Sequence, residues 1–286
     1  LYIARNLISP KSKFFMTKKL SFLTVLFCFF ISVSLAQTEG EFFKTASDKV
    51  KNKDYKGALE DFNKVLEMNP KNTEAYYNRA RTKQFLKDYA GAAADFTKAI
   101  EANDKNEEAY YWRGVSRTET KDAAGAIADF TKVVELNPKN AKAFFLRGKL
   151  QADAKKNKEA IEDYKKATQI DSTYYDAFYA SAQLKRAGKD FKGAVEDYSK
   201  ALKIKQEYTC YYYRADCKES LNDPNGAIND YTETLKIKPD YPNALLKRGT
   251  VYFQKLNKKK EGCEDWKKAK ELGNKQAEGM LQQHCK

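Results

Sequence analysis

The chain is 286 residues long with 42% hydrophobic and 13% aromatic residues, too apolar for a solvated coil and long enough for a substantial core. Its 53 Lys and Arg outnumber 39 Asp and Glu for a formal charge of +14, while 5 Cys, 13 Gly and 6 Pro are too few for a disulfide-built scaffold or a turn-rich β-sandwich. A single histidine, His284, leaves almost no room for histidine-based acid–base or metal chemistry, so most enzyme classes lose their commonest catalytic residue.

Residues 1–15 begin with Leu and read as upstream translation or an alternative start. From Met16, Lys18 and Lys19 precede an apolar run from Leu20 to Leu35, and Ser34 and Ala36 supply small residues at the −3 and −1 positions before Gln37. This is the three-part layout of a cleavable signal peptide over 16–36. The run falls short of the roughly 20 apolar residues of a membrane span, and Cys28 lies inside it behind bulky Phe27, which argues against lipid attachment. The expected location is exported: periplasm, outer envelope or secreted. Removal of the first 36 residues takes away five basic residues and no acid, leaving +9.

From residue 39 onward the sequence repeats. Ala58, Ala92, Ala126, Ala160, Ala194 and Ala227 recur at intervals of 34 residues, the last of 33. Four residues after each comes an aromatic (Phe62, Phe96, Phe130, Tyr164, Tyr198, Tyr231), and twelve residues before each another small residue (Ala46, Ala80, Gly114, Gly148, Ala182, Ala215). A further aromatic lies four residues before that, as in Phe42, Tyr76 and Tyr110. Such spacings put one apolar stripe on each of two helices. Lys53-Asp54 and Lys87-Asp88 mark the turn inside a unit, and Asn69-Pro70, Asn137-Pro138 and Lys238-Pro239 mark its end, because proline disfavours helix at the residue before it. The units are helical hairpins starting near 39, 73, 107, 141, 175, 208 and 242. The seventh is degenerate, with Leu245, Gly249, Gly262 and Trp266 in the packing roles and one extra residue in its lysine-rich turn. Residues 275–286 read as a closing helix, since an open array needs an end with a polar outer face.

Aromatic at repeat position 4, small residue at 8, Ala at 20, aromatic at 24, Ala or Val at 27 and Pro at 32 together resemble the tetratricopeptide repeat, over residues 39–274. Asp104, Ser172 and Gln206 depart from the pattern at position 32, which loosens turns without threatening the fold. The resemblance implies an all-α, right-handed superhelical solenoid of about seven hairpins plus a C-terminal capping helix. It also implies first helices lining a concave groove, and a role in binding proteins or peptides rather than in catalysis.

In this family position 5 faces the groove, which here carries Phe43, Tyr77, Tyr111, Phe145, Tyr179 and Tyr212. Position 9, one turn along, includes Arg81 and Lys149. Aromatics bury large areas with few rotors to freeze, so this strip is the candidate partner-binding surface. The chaperone-tail clamp of some relatives needs Lys at position 5 and is absent. Arg79, Arg113, Arg147, Arg214 and Arg248 recur at position 7, and Asp61, Asp95, Asp129, Asp163, Asp197, Asp230 and Asp265 recur as a second series. Because both types repeat beside packing positions, they are read as structural ion pairs between helices rather than an anion-binding ladder.

Four cysteines follow the leader. Cys210 and Cys217 sit on one predicted helix about 10 Å apart, too far for a disulfide, whereas Cys263 and Cys285 can staple the closing helix. No phosphate loop, Cys-x-x-Cys pair or His-containing triad appears, so no cofactor, metal or catalytic residue is expected. The clusters Lys258-Lys259-Lys260 and Lys267-Lys268 support a second reading, a basic envelope-associated structural component binding anionic lipid or polysaccharide. Without a recognisable module, specific nucleic-acid binding is not expected.

Overall fold

The computed structural model describes residues 39–285, and the signal-peptide reading of 16–36 therefore lies outside the described residues. These residues form fifteen helices and no strand. The described residues divide into two compact units, 39–126 and 127–285. Unit 1 contains α1 (39–51), α2 (Tyr55–Met68), α3 (Thr73–Phe85), α4 (Tyr89–Ala102) and α5 (Glu107–Glu119), and the division falls within α6 (Ala123–Leu136). Unit 2 continues with α7 (Ala141–Asp153), α8 (Asn157–Ile170), α9 (Tyr175–Ala187), α10 (Phe191–Ile204) and α11 (Tyr208–Ser220). It ends with α12 (Pro224–Ile237), α13 (Pro242–Lys255), α14 (Lys259–Glu271) and the closing helix α15 (Lys275–His284). Successive helices pack against one another within each unit, so each is a stretch of all-α helical solenoid.

The small residues sit where helices touch. Ala58, Ala92, Ala160, Ala194 and Ala227 are fully buried, as are Ala46, Ala80, Ala182 and Ala215 of the facing helices. Backbone meets backbone between α13 and α14. A Cβ added to Gly249 would lie 2.9 Å from the carbonyl oxygen of Gly262, so the crossing is possible only without side chains. The aromatics at position 24 fill the space beside these contacts. Phe62, Phe96, Tyr198 and Tyr231 are among the largest fully buried side chains, and Trp266 does the same in the last repeat.

Each hairpin turns on one residue with positive φ: Lys53, Lys87, Lys121, Lys155, Lys189, Asn222 and Asn257, at φ between 53° and 64°. Aspartate follows in five of the seven turns and caps the next helix. Asp54, Asp88, Asp122, Asp190 and Asp223 accept from the backbone N–H of Gly57, Gly91, Gly125, Gly193 and Gly226. A Cβ on any of these glycines would clash with the capping carboxylate. In the two turns that lack aspartate, Lys156 and Lys258 make no side-chain cap, and Glu159 and Glu261 replace the glycine. Cap and glycine are one motif, exchanged together.

Candidate binding surface

The first helices present the position-5 rings, and the second helices hold them. Phe43 meets Phe62 edge-on at 5.7 Å, and Tyr77 meets Phe96 edge-on at 5.6 Å. In unit 2, Phe145, Tyr179 and Tyr212 lie 5.7, 5.9 and 5.7 Å from Tyr164, Tyr198 and Tyr231. All six position-5 residues, including Tyr111, are half-buried. One flank of each of these five rings therefore packs inside its own hairpin, and the remainder is partly exposed.

In unit 1 the polar groups around the rings are already organised. The Tyr77 hydroxyl donates to Glu108 Oε2 at 3.1 Å, and burial, with the Glu108 charge adding to it, pushes that phenol up to about 12. Arg81 stacks on the Trp112 ring with its guanidinium carbon 3.5 Å from the centroid, and Nη1 donates to Gln84 Oε1. Gln84 in turn donates to the Trp112 carbonyl and to Ser116 Oγ, tying α3 to α5. Phe85, stacked on Tyr55 at 4.6 Å, is 51% exposed at the end of the same helix. The sequence reading named Arg81 but missed its stacking partner, which lies on the next first helix.

Unit 2 carries a longer ladder. Gln183 Nε2 donates to the Tyr179 hydroxyl at 2.8 Å, and Gln183 Oε1 accepts from Arg186 Nη2 at 3.2 Å. Arg186 Nη1 reaches Asp216 at 3.2 Å, whose other oxygen accepts from Lys247 at 3.2 Å. These contacts join α9, α11 and α13 along one side of the unit. Tyr212 stands between Tyr213 and Tyr241, at 5.3 and 5.1 Å. Lys149 is exposed and stands apart from this network.

The repeated arginines are structural. Arg79, Arg147, Arg214 and Arg248 each grip Asp95, Asp163, Asp230 and Asp265 through Nε and Nη2 at 2.7–2.8 Å. Their Nη1 atoms reach back to Asn63, Thr131, Ser199 and Thr232 on the preceding second helix, and Arg113 reaches Thr97 in the same way. In the fifth repeat Ser181 replaces the arginine, and Ser181 Oγ and Lys185 Nζ both reach Asp197 at 2.6 Å. The preceding acceptor position there is Lys165, so arginine and acceptor disappear together.

Cys263 and Cys285 form a disulfide with Cα atoms 5.9 Å apart, linking α14 to the end of α15. Cys210 and Cys217 are free and buried, and burial pushes both thiols up to about 12, so neither is a ready nucleophile. His284 packs on Phe253 and Trp266. Among the described residues no group of three or more His, Cys, Asp and Glu is placed to hold a metal ion.

Tetratricopeptide repeat models match residues 79–140 and 119–175, residues 62–94, and residues 49–72 and 175–208. Together they run from 49 to 208, and the chain belongs to the tetratricopeptide repeat family, whose members serve as protein-interaction scaffolds. Among solved structures it is similar to the C-terminal part of a repeat-containing protein from Cytophaga hutchinsonii, at 21% identity and a TM-score of 0.70, covering 84% of this chain and 99% of that one. A tetratricopeptide repeat protein from Parabacteroides merdae is similar at 19% identity and a TM-score of 0.58, covering 87% and 100%. YrrB, described as having an unusual peptide-binding site, is similar at 19% identity and a TM-score of 0.58, covering 65% and 97%. At these identities the likeness is one of fold. No curated protein matches the sequence significantly.

Proposed function

We propose that this protein is an exported, noncatalytic scaffold that holds an extended peptide or a partner helix against the position-5 rings of its first helices. The observation that carries the reading is the set of six half-buried rings, five of them braced against an aromatic of the following helix. A braced ring loses little freedom on binding, so apolar area buried by a partner converts into affinity at small reorganisation cost. Arg81, stacked on Trp112, offers a positioned guanidinium beside Tyr77 and Tyr111. Export is supported by the leader pattern over 16–36 and suits a chain whose last helix is held by a disulfide. The peptide-binding site ascribed to YrrB gives a precedent on the same fold.

The test is crosslinking in the native envelope followed by capture of the attached protein, repeated with Tyr77→Ala combined with Tyr111→Ala. The expected result is loss of the captured partner with helical content retained, and little dependence on salt. If every captured partner stays bound as before, the aromatic surface is not the binding site.

A further inference from the structure

We propose a second contact surface, independent of the peptide-binding reading: the inter-repeat turns 203–208 and 236–241 of unit 2 dock on an anionic lipid bilayer. The charge of the described chain is unevenly divided. Residues 39–126 carry 16 Lys and Arg and 16 Asp and Glu, whereas residues 127–286 carry 32 and 23, so the whole excess lies in unit 2.

The turns between repeats change character along the chain. At 67–73, 101–107 and 135–141 each has glutamate before the last apolar residue (Glu67, Glu101, Glu135) and asparagine before the next helix. Asn72, Asn106 and Asn140 accept from the N–H of Ala75, Ala109 and Ala143, capping those helices. In the next three turns the glutamates become Gln169, Lys203 and Lys236, and the caps become Tyr174, Glu207 and Tyr241, none of which makes a side-chain cap. Three consecutive first-helix starts thus forgo a local hydrogen bond that the earlier first helices keep, a departure from local consistency of the kind expected at functional surfaces.

The turns 203–208 and 236–241 each carry two lysines and one acid, Glu207 and Asp240, and the remaining groups share one chemistry. Ile204 and Ile237 are 37% and 47% exposed, each between two lysines (Lys203 and Lys205, Lys236 and Lys238). Lys205 lies over Tyr175 and Lys238 over Tyr208, and Tyr208 meets Tyr241 edge-on at 5.5 Å. Exposed aliphatic tips, tyrosines beside them and lysines on long apolar stems are the set that suits the boundary between lipid headgroups and hydrocarbon. The lysines of the ion pairs Lys205–Glu207 and Lys236–Glu233 are exposed, so these pairs cost little to open.

Hydrogen exchange of the full chain, followed by mass spectrometry, tests this with phosphatidylcholine vesicles and with vesicles containing about one third phosphatidylglycerol. The expected result is protection of 203–208 and 236–241 by the anionic vesicles only, lost in about 0.5 M salt. Replacing Lys203, Lys205, Lys236 and Lys238 by Glu should weaken that protection about tenfold or more with helical content unchanged. Replacing Ile204 and Ile237 by Ser, which leaves the charge intact, should weaken it too. Binding through the apolar 20–35 segment would leave these turns unprotected whatever the vesicle charge. The proposal is overturned if the turns exchange alike with and without anionic vesicles, or if neutral vesicles protect them equally. It is also overturned if soluble poly-glutamate protects them and vesicles do not, which would assign the surface to an acidic protein.

Discussion

Residue scale is where the repeated charges find their meaning. Asp163 is buried beneath Arg147, with side-chain exposures of 6% and 16%, so Arg147→Ala would strand a carboxylate away from both water and counter-charge. The expected loss is about 3 kcal/mol, read as a lower urea midpoint. Arg147→Lys should recover only part of it, because an ammonium cannot supply the two parallel bonds to Asp163 and the third to Thr131. Tyrosines that the fold takes partly or wholly out of water set an alkaline limit. Burial pushes the phenols of Tyr77, Tyr164 and Tyr212 up to about 12, above the unfolded value of about 10, so the fold prefers each phenol neutral. Their contribution is complete below pH 10 and fades as pH rises toward 12. A melting-temperature series should therefore be flat with respect to these groups from pH 7 to 9 and fall above 10.

At the scale of the element, caps and turns give predictions of opposite sign. Asp88→Ala removes the acceptor for Gly91 N–H and should cost about 1 kcal/mol. Lys155 occupies the left-handed region at φ 62°, where a side chain is penalised by about 1–2 kcal/mol. Lys155→Gly should therefore stabilise by up to about 1 kcal/mol. Lys158→Gly, three residues on and inside α8, should destabilise by about 1 kcal/mol. Thermal unfolding of the two variants checks both signs at once. The turn at Lys53-Asp54 was readable in the sequence, but the left-handed lysine was not, because lysine carries none of the usual preference of Gly or Asn for that region. The exchange of Asp and Gly for Lys and Glu in the fourth and seventh repeats was present in the letters and becomes meaningful once the carboxylate is seen occupying the space of a Cβ.

At the scale of the molecule, the disulfide ties α15 to the last repeat. Ala277 is fully buried, and Met280, Leu281 and Cys285 pack against Leu245, Leu246 and Trp266. Cys263 and Cys285 are 22 residues apart, so opening the link should cost on the order of 3 kcal/mol. In a linear array that loss falls first on the terminal repeat. Reduction should accelerate hydrogen exchange in α15 and α14 while α9 to α11 change little. Native alkylation without reductant should leave all four cysteines of the described chain unmodified, two by pairing and two by burial.

The sequence alone determined the hairpins, their period, their small and aromatic contacts and the pairing of arginine with aspartate, because each is a local spacing repeated often enough to be unmistakable. The acceptors of Arg Nη1, namely Asn63, Thr97, Thr131, Ser199 and Thr232, were not read from the sequence, nor was the loss of an acceptor at Lys165 where Ser181 replaces the arginine, because nothing in the letters joins positions on successive hairpins. The tertiary structure alone decided how much of each position-5 ring is available. It also decided that Arg81 lies on Trp112 and that the later inter-repeat turns bring Ile, Lys and Tyr together without caps. The physical reason is that a repeat specifies its own packing through short-range periodicity, whereas the surface it presents is made by side chains of different repeats, whose proximity exists only once the hairpins are stacked.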